Sequence, residues 1–288
     1  MTGDQMNYQS INYYSPGGLQ LYARDYQHAG TDAPVVLCLH GLTRNSADFE
    51  LVAAYLADRY RLICPDQRGR GRSSYDPQPA NYQPQIYVED MFSLLDQLRL
   101  QQVIIIGTSM GGLMGMMMGA MQPRRIRALV LNDIGPEVDP VGLARIKDHA
   151  GRQAPVLSWA EAVAQTRQTQ GAQFPDLNDA QWQAFARTLY HEQNGVPVLA
   201  YDPAIALPFA SQEEAAVPPD LWPMFESLTM PVLVLRGETS DILASTCARQ
   251  MLVRSRHCHL VEVSQRGHAP MLDEPLARTA IEEFLAVV

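Results

Sequence analysis

Residues 103–112 read Val103-Ile104-Ile105-Ile106-Gly107-Thr108-Ser109-Met110-Gly111-Gly112. The first four are a short apolar run of the kind that forms a strand buried on both faces. Gly111 to Met121 then reads as a helix. Between strand and helix stands one serine, with a glycine two residues before it and another two residues after. A turn that tight forces strained backbone angles on the serine, and the glycines let neighbouring segments approach. The hydroxyl is lifted above the carboxyl end of the sheet, at the positive end of the following helix. A plain glycine turn would have the same letters, so the reading depends on what the rest of the chain supplies.

Outward from this junction the chain alternates. Leu19 to Tyr26 reads as a half-buried strand, and Pro34 to His40, Arg61 to Pro65 and Ile126 to Leu131 read as short buried strands. Helical spacing covers Asp48 to Tyr60 and Tyr87 to Leu98. The alternation resumes with a strand at Pro231 to Arg236, a helix at Thr246 to Val253, a strand at His259 to Val263 and a helix at Pro275 to Leu285. Such alternation implies right-handed crossovers and a mostly parallel sheet. Asp139 to about Leu228 breaks the pattern, with helix and loop signals, no convincing buried strand, all three tryptophans and a proline-rich return (Pro203, Pro208, Pro218, Pro219, Pro223). The expected architecture is α/β: a core from 1–138 and 229–288, with a helical cap at 139–228 inserted after the sixth sheet strand.

The composition fits one large core. The chain has 288 residues, 47% of them hydrophobic, and a net charge of −9. Roughly three quarters of the unfolded surface would be buried at this size. The acidic balance disfavours nucleic acid and anionic membrane as partners, since both require a basic face. Cys38, Cys64, Cys247 and Cys258 contain no Cys-x-x-Cys pair and lie in or beside apolar stretches, so they read as buried free thiols. Met1 to Gly18 is polar and tyrosine-rich and reads as no signal peptide. No apolar run reaches the length of a membrane helix. A cytoplasmic protein, monomer or homodimer, is expected, without cofactor or metal.

A serine hydroxyl needs a base. His268, in Arg266-Gly267-His268-Ala269-Pro270, follows the last strand, where loops gather at the carboxyl edge of the sheet. His149 and His191 fall in the cap and read as exposed; His257 and His259 flank Cys258 and read as structural. The base needs an orienting carboxylate. Asp241, in Gly237-Glu238-Thr239-Ser240-Asp241, is preferred; Asp133, after the strand Ala128 to Asn132, is its main rival, and Glu238 reads as a helix cap. Oxyanion donors are the third requirement. His40-Gly41-Leu42-Thr43 ends a buried strand, so the backbone N–H groups of Leu42 and Met110 form the natural pair, with His40 shaping the loop.

Taken together, His40-Gly41, the loop Asp66-Gln67-Arg68-Gly69-Arg70-Gly71-Arg72-Ser73, the serine junction and the acid and histidine loops resemble the α/β-hydrolase fold family, in its capped form. The resemblance implies that the Asp66–Ser73 loop is architectural, so its arginines need no phosphate reading. Haloalkane dehalogenases and epoxide hydrolases of the fold use aspartate at the nucleophile position; Ser109 disfavours both and implies acyl transfer to water. The expected substrate is a small to medium carboxylic ester or lactone. A carbon–carbon bond hydrolase of a ring-cleavage product is an alternative, lowered because Leu42-Thr43-Arg44-Asn45 replaces the glycine-rich stretch such enzymes carry. A non-catalytic ligand-binding member is another. The methionines of 110–121 read as core packing, except Met110. Trp159, Trp182, Trp222, Met224 and Phe225 are assigned no role.

Overall fold

The alternating strands assemble into one eight-stranded sheet in the order β1-β2-β4-β3-β5-β6-β9-β10. The computed structural model describes residues 7–210 and 220–288, so Pro218, Pro219 and the first six residues of the tyrosine-rich start lie outside the described residues. The strands are β1 (Gln9–Tyr14), β2 (Gln20–Tyr26), β3 (Val35–Leu39), β4 (Arg61–Asp66), β5 (Val103–Thr108), β6 (Ile126–Asn132), β9 (Val232–Gly237) and β10 (Cys258–Val263). At one edge β2 pairs antiparallel with both β1 and β4, and the other pairings are parallel. β1 lies inside the stretch read as merely polar. Its burial alternates weakly, as an edge strand's does, so apolar spacing could not reveal it.

Helices cover both faces. α2 (Pro84–Gln97), α3 (Met110–Met121), α8 (Trp222–Glu226) and α9 (Ser245–Arg254) enclose one apolar cluster, and α1 (Glu50–Leu56) and α10 (Pro275–Val287) enclose the other. Side chains of a strand alternate between faces. Val103 and Ile105 of β5 therefore enter the first cluster, and Ile104 and Ile106 enter the second. This is why the central strands are continuously apolar. Met114, Met116 and Met118 are buried in the first cluster, while Met121 is exposed.

Between β6 and β9 the chain forms α4 (Pro140–His149), α5 (Trp159–Gln170), α6 (Asp179–Leu189), a hairpin of β7 (Tyr190–Gln193) and β8 (Val196–Leu199), and the short α7 (Leu207–Ala210). The hairpin departs from the purely helical expectation. It turns at Asn194-Gly195, both with positive φ, and its four-residue strands are too short to show a periodicity. Trp182 packs with Phe174 and Phe185 inside this region, whereas Trp222 and Phe225 pack against the core beside α3.

The loop after β4 supports the sheet's carboxyl edge. Asp66 accepts from the backbone N–H of Ser46 at 2.6 Å and of Arg72 at 2.8 Å, and a Cβ at Gly71 would sit 2.2 Å from its carboxylate. Arg68 is buried and bonds Asp90 through two nitrogens and Asp76 through a third. Replacing it with methionine would strand two buried carboxylates. Arg68→Met should cost about 3–5 kcal/mol, as for other broken buried ion pairs, read by urea unfolding monitored by tryptophan fluorescence; a loss below about 1 kcal/mol would show that water reaches these carboxylates.

Candidate active site

β5 runs straight into α3, and Ser109 sits at the junction with φ 53° and ψ −118°. The surrounding glycines are steric necessities. A Cβ on Gly107 would lie 2.4 Å from the Gly111 carbonyl oxygen, and one on Gly111 would lie 2.0 Å from that of Leu39. The Ser109 N–H donates to the Asn132 carbonyl at 2.9 Å, so the junction is also tied to the end of β6. Asn132 extends the tie, with its amide donating to Thr108 Oγ1 at 3.1 Å and to the Pro270 carbonyl at 2.8 Å.

His268, past β10, places Nε2 2.8 Å from Ser109 Oγ. Its Nδ1 lies 2.7 Å from Asp133 Oδ2. With the proton assigned to Nδ1, that nitrogen donates to the carboxylate, and Nε2 accepts from the serine hydroxyl.

The acid beside His268 is therefore Asp133, and the preference for Asp241 is corrected. Asp241 is taken by Arg145 of α4, which donates from Nε at 2.6 Å and Nη2 at 2.8 Å. Burial tends to raise the Asp241 carboxyl, but the bonds and charge of Arg145 prevail and hold it below its ordinary value. Gly142 makes this approach possible, since a Cβ there would meet the Asp241 carbonyl at 2.1 Å. Asp133 is fully buried at the end of β6, with φ 57°. Its Oδ1 accepts the Gly237 N–H at 2.8 Å, and its Oδ2 also accepts the Ser240 hydroxyl. Ser240 Oγ in turn accepts the N–H groups of Ile242 and Leu243, which turns its proton toward Asp133. The loop after β9 thus serves the site through Ser240, one residue before the aspartate that sequence reasoning chose.

The proposed oxyanion donors sit beside the serine. Gly41 approaches the Ser109 side chain, and neither the Leu42 N–H nor the Met110 N–H donates to an acceptor among the described residues. Met110 opens α3, where a helix N–H has no partner of its own. The Leu42 turn is braced from behind. Arg70, fully buried, donates from Nε to the Leu42 carbonyl at 2.9 Å and from Nη1 to the Arg68 carbonyl and the Tyr87 hydroxyl. His40 donates from Nδ1 to the Gly41 carbonyl at 2.7 Å and accepts the Gln67 N–H on Nε2 at 3.0 Å. The bond at Nε2 needs the neutral ring. Burial, helped by the charges of Arg70 and Arg44, pushes its pKa down to about 3 against the pull of the Gly41 bond.

Ser109 and His268 open into a cavity of about 370 Å³ walled by Leu42, Phe174, Phe185, Tyr190, Tyr201 and Met271, among others. About half of the lining, including Phe174, Phe185, Tyr190 and Tyr201, comes from the segment between β6 and β9. None of the three tryptophans lines it. His149 and His191 are exposed, and all four cysteines are buried and free. No helix among the described residues is long and apolar enough to cross a membrane. Gln173, which sequence reasoning passed over, accepts the backbone N–H of His268 on its Oε1 at 2.8 Å. Nothing in the local sequence signals it.

Comparison with known proteins bears on the fold and the family. A model of the alpha/beta hydrolase family matches residues 36–282. The 3-hydroxybutyrate-oligomer hydrolase of Cupriavidus necator is 36% identical over 281 residues, covering 95% of this chain and 96% of that protein. The 3-oxoadipate enol-lactonase 2 of Acinetobacter baylyi is 26% identical over 246 residues, covering 85% of this chain and 86% of that one. The crystal structure of an alpha/beta hydrolase from Novosphingobium aromaticivorans superposes with a TM-score of 0.92 at 42% identity, covering 98% of this chain and 99% of that one.

Two measurements test the site. Asp133→Asn should slow fluorophosphonate labelling of Ser109 by about 10³-fold or more, by analogy with acid removal in other triads, while Asp241→Asn stays within about threefold; the reverse order would restore Asp241. For His40, the folded value near 3 lies below the unfolded value near 6.5, so the unfolded chain binds the extra proton between them. Its contribution is complete above about pH 6.5 and is lost as pH falls, by about 1.4 kcal/mol per unit. The stability difference between wild type and His40→Asn, from urea unfolding at pH 7 down to 4.5, should shrink at that rate; parallel pH curves would show that the folded ring takes up its proton as readily as the unfolded one.

Proposed function

Since the chain belongs to the alpha/beta hydrolase family, we propose that it is a serine hydrolase that cleaves small to medium carboxylic esters through an acyl-enzyme on Ser109. One observation carries the reading: the unbroken hydrogen-bond relay from Ser109 through His268 to Asp133. His268 Nε2 takes the hydroxyl proton as Ser109 Oγ attacks the ester carbonyl. Asp133 holds the imidazole in the required tautomer and stabilises its charged form. The tetrahedral oxyanion receives the Leu42 and Met110 N–H groups, which are already oriented and need no reorganisation. Collapse breaks the carbonyl–alkoxy bond, and the proton on His268 goes to the leaving alcohol. Water, deprotonated by His268, then attacks the acyl carbon. The carboxylic acid leaves and the proton returns to Ser109.

For the substrate, the cavity supports a compact ester. Its walls are mainly apolar and aromatic, and its volume of about 370 Å³ lies at the small end of ligand sites. The likeness to the Cupriavidus protein runs along nearly the whole of both chains. A short linear ester of 3-hydroxybutyrate is therefore the first substrate we assign. A lactone is the second reading, on the weaker likeness to an enol-lactonase.

The test is a substrate panel: dimers and trimers of 3-hydroxybutyrate, p-nitrophenyl esters of increasing chain length, and simple lactones, each with wild type and Ser109→Ala. Wild type should release 3-hydroxybutyrate, and Ser109→Ala should lower kcat by more than about 10⁴-fold with an unchanged circular dichroism spectrum. Full turnover by Ser109→Ala would overturn the mechanism. Turnover of p-nitrophenyl esters without the oligomers would keep the mechanism and remove the substrate.

A further inference from the structure

The loop that carries His268 is bonded at three consecutive residues by one segment of the cap, the connection between α5 and α6. Asp176 accepts from Arg266 Nη1 at 2.6 Å. The Gln173 carbonyl accepts the Gly267 N–H at 2.9 Å, and Gln173 Oε1 accepts the His268 N–H at 2.8 Å. Gly267 has no room for a side chain, because a Cβ there would lie 1.8 Å from Gln173 Oε1. Gln173 itself is only 7% exposed. A buried amide oxygen must have its donor, and the donor it finds is the backbone of the residue that faces Ser109.

The core side of that loop is anchored differently. The Arg266 carbonyl accepts the Thr239 N–H and hydroxyl, and the Arg266 guanidinium reaches Glu274. These bonds hold the loop before the glycine. Among the described residues, Gln173 alone accepts the two following N–H groups. The next cap residue, Phe174, is buried, lies on the cavity wall and meets Phe185 edge to face. Met271, just beyond His268, packs on the same aromatic cluster. One short segment therefore touches the base loop through Gln173 and Asp176 and the cavity through Phe174.

We propose that Gln173 is the positioning residue of the base: the cap, through this amide, sets where the His268 ring stands between Ser109 and Asp133. The proposal rests on the serine-hydrolase reading for its catalytic consequence but not for its geometry. The ring must meet partners at 2.8 Å and 2.7 Å at its two nitrogens, so a backbone displacement at His268 is felt at both. Misplacement of about 1 Å costs about 10²-fold in rate in comparable sites.

Gln173→Met keeps the length of the side chain and removes the acceptor. Gln173→Glu keeps an acceptor and adds a negative charge near the imidazole. Three readouts are compared: the rate of fluorophosphonate labelling at Ser109, the pH profile of ester turnover, and the downfield proton NMR signal of the His268 Nδ1–H, which needs no substrate. Gln173→Met should slow labelling and kcat by about 10- to 100-fold, leave KM within about threefold, and broaden or shift the Nδ1–H signal, with the thermal midpoint nearly unchanged. Gln173→Glu should recover most of the loss and move the acidic limb to higher pH, since the added charge favours the protonated ring. A Met variant with wild-type labelling and an unmoved Nδ1–H signal would overturn the proposal and leave Gln173 as cap packing. Absence of ester turnover in wild type would count against the substrate reading alone, because labelling and NMR still report on Gln173. Absence of labelling would count against the nucleophile, and the NMR comparison alone would then decide.

Discussion

The clearance around Ser109 is the constraint on which the rest of the site depends. A non-glycine residue at φ 53° and ψ −118° is held in a sparsely populated conformation, which costs on the order of 1–3 kcal/mol. The fold offsets this by over-determining the junction. β5 lies between β3 and β6, its Gly107 pairs with Leu39 on one side and Leu131 on the other, and Ser109 is bonded on to Asn132. α3 can start immediately only because Gly111 admits the Leu39 carbonyl and Gly112 admits the Ile134 side chain. The strain puts the hydroxyl at the cavity and leaves the Met110 N–H without an acceptor among the described residues.

A second feature is the division of labour between two aspartates near one histidine. Asp133 and Asp241 both lie on loops at the carboxyl edge of the sheet. Arg145 separates their roles by binding both oxygens of Asp241, while Asp133 receives a backbone N–H, a hydroxyl and the imidazole. A buried carboxylate is tolerated when its lone pairs are matched by donors, and Asp133 has such a set. The loop after β9 contributes to the same end through Gly237 and Ser240. Thus one loop supplies the donors, and the other supplies the acid.

The cap has two physical tasks. It closes the cavity with apolar and aromatic side chains, and it bonds to the core at places that matter for the site. Asn45 donates to the Thr188 carbonyl, the Gly71 N–H donates to the Ala200 carbonyl, and Tyr82 donates to Asp202. These bonds tie the cap to the loops that shape the Leu42 turn, while the α5–α6 connection ties it to the loop of His268. Backbone position on both sides of the serine is therefore shared between core and cap.

By itself the sequence determined what depends on neighbouring residues. The central strands were legible because both faces are covered, so every residue of β5 from Val103 to Ile106 is apolar. The serine junction was legible because its steric requirement falls on Gly107 and Gly111, two residues away on either side. The loop of Leu42 and the histidine after β10 followed from their place at strand ends. β1 and the β7–β8 hairpin were not legible, since an edge strand and four-residue strands carry too little apolar alternation. Tertiary structure alone decided the partners. The choice of acid turned on Arg145, which is 96 residues from Asp241, and on Asp133, which is 135 residues from His268. The amide of Gln173 reaches His268 across 95 residues. Hydrogen bonds of that kind are set by how the cap and the strand ends meet in space, and no spacing along the chain records them.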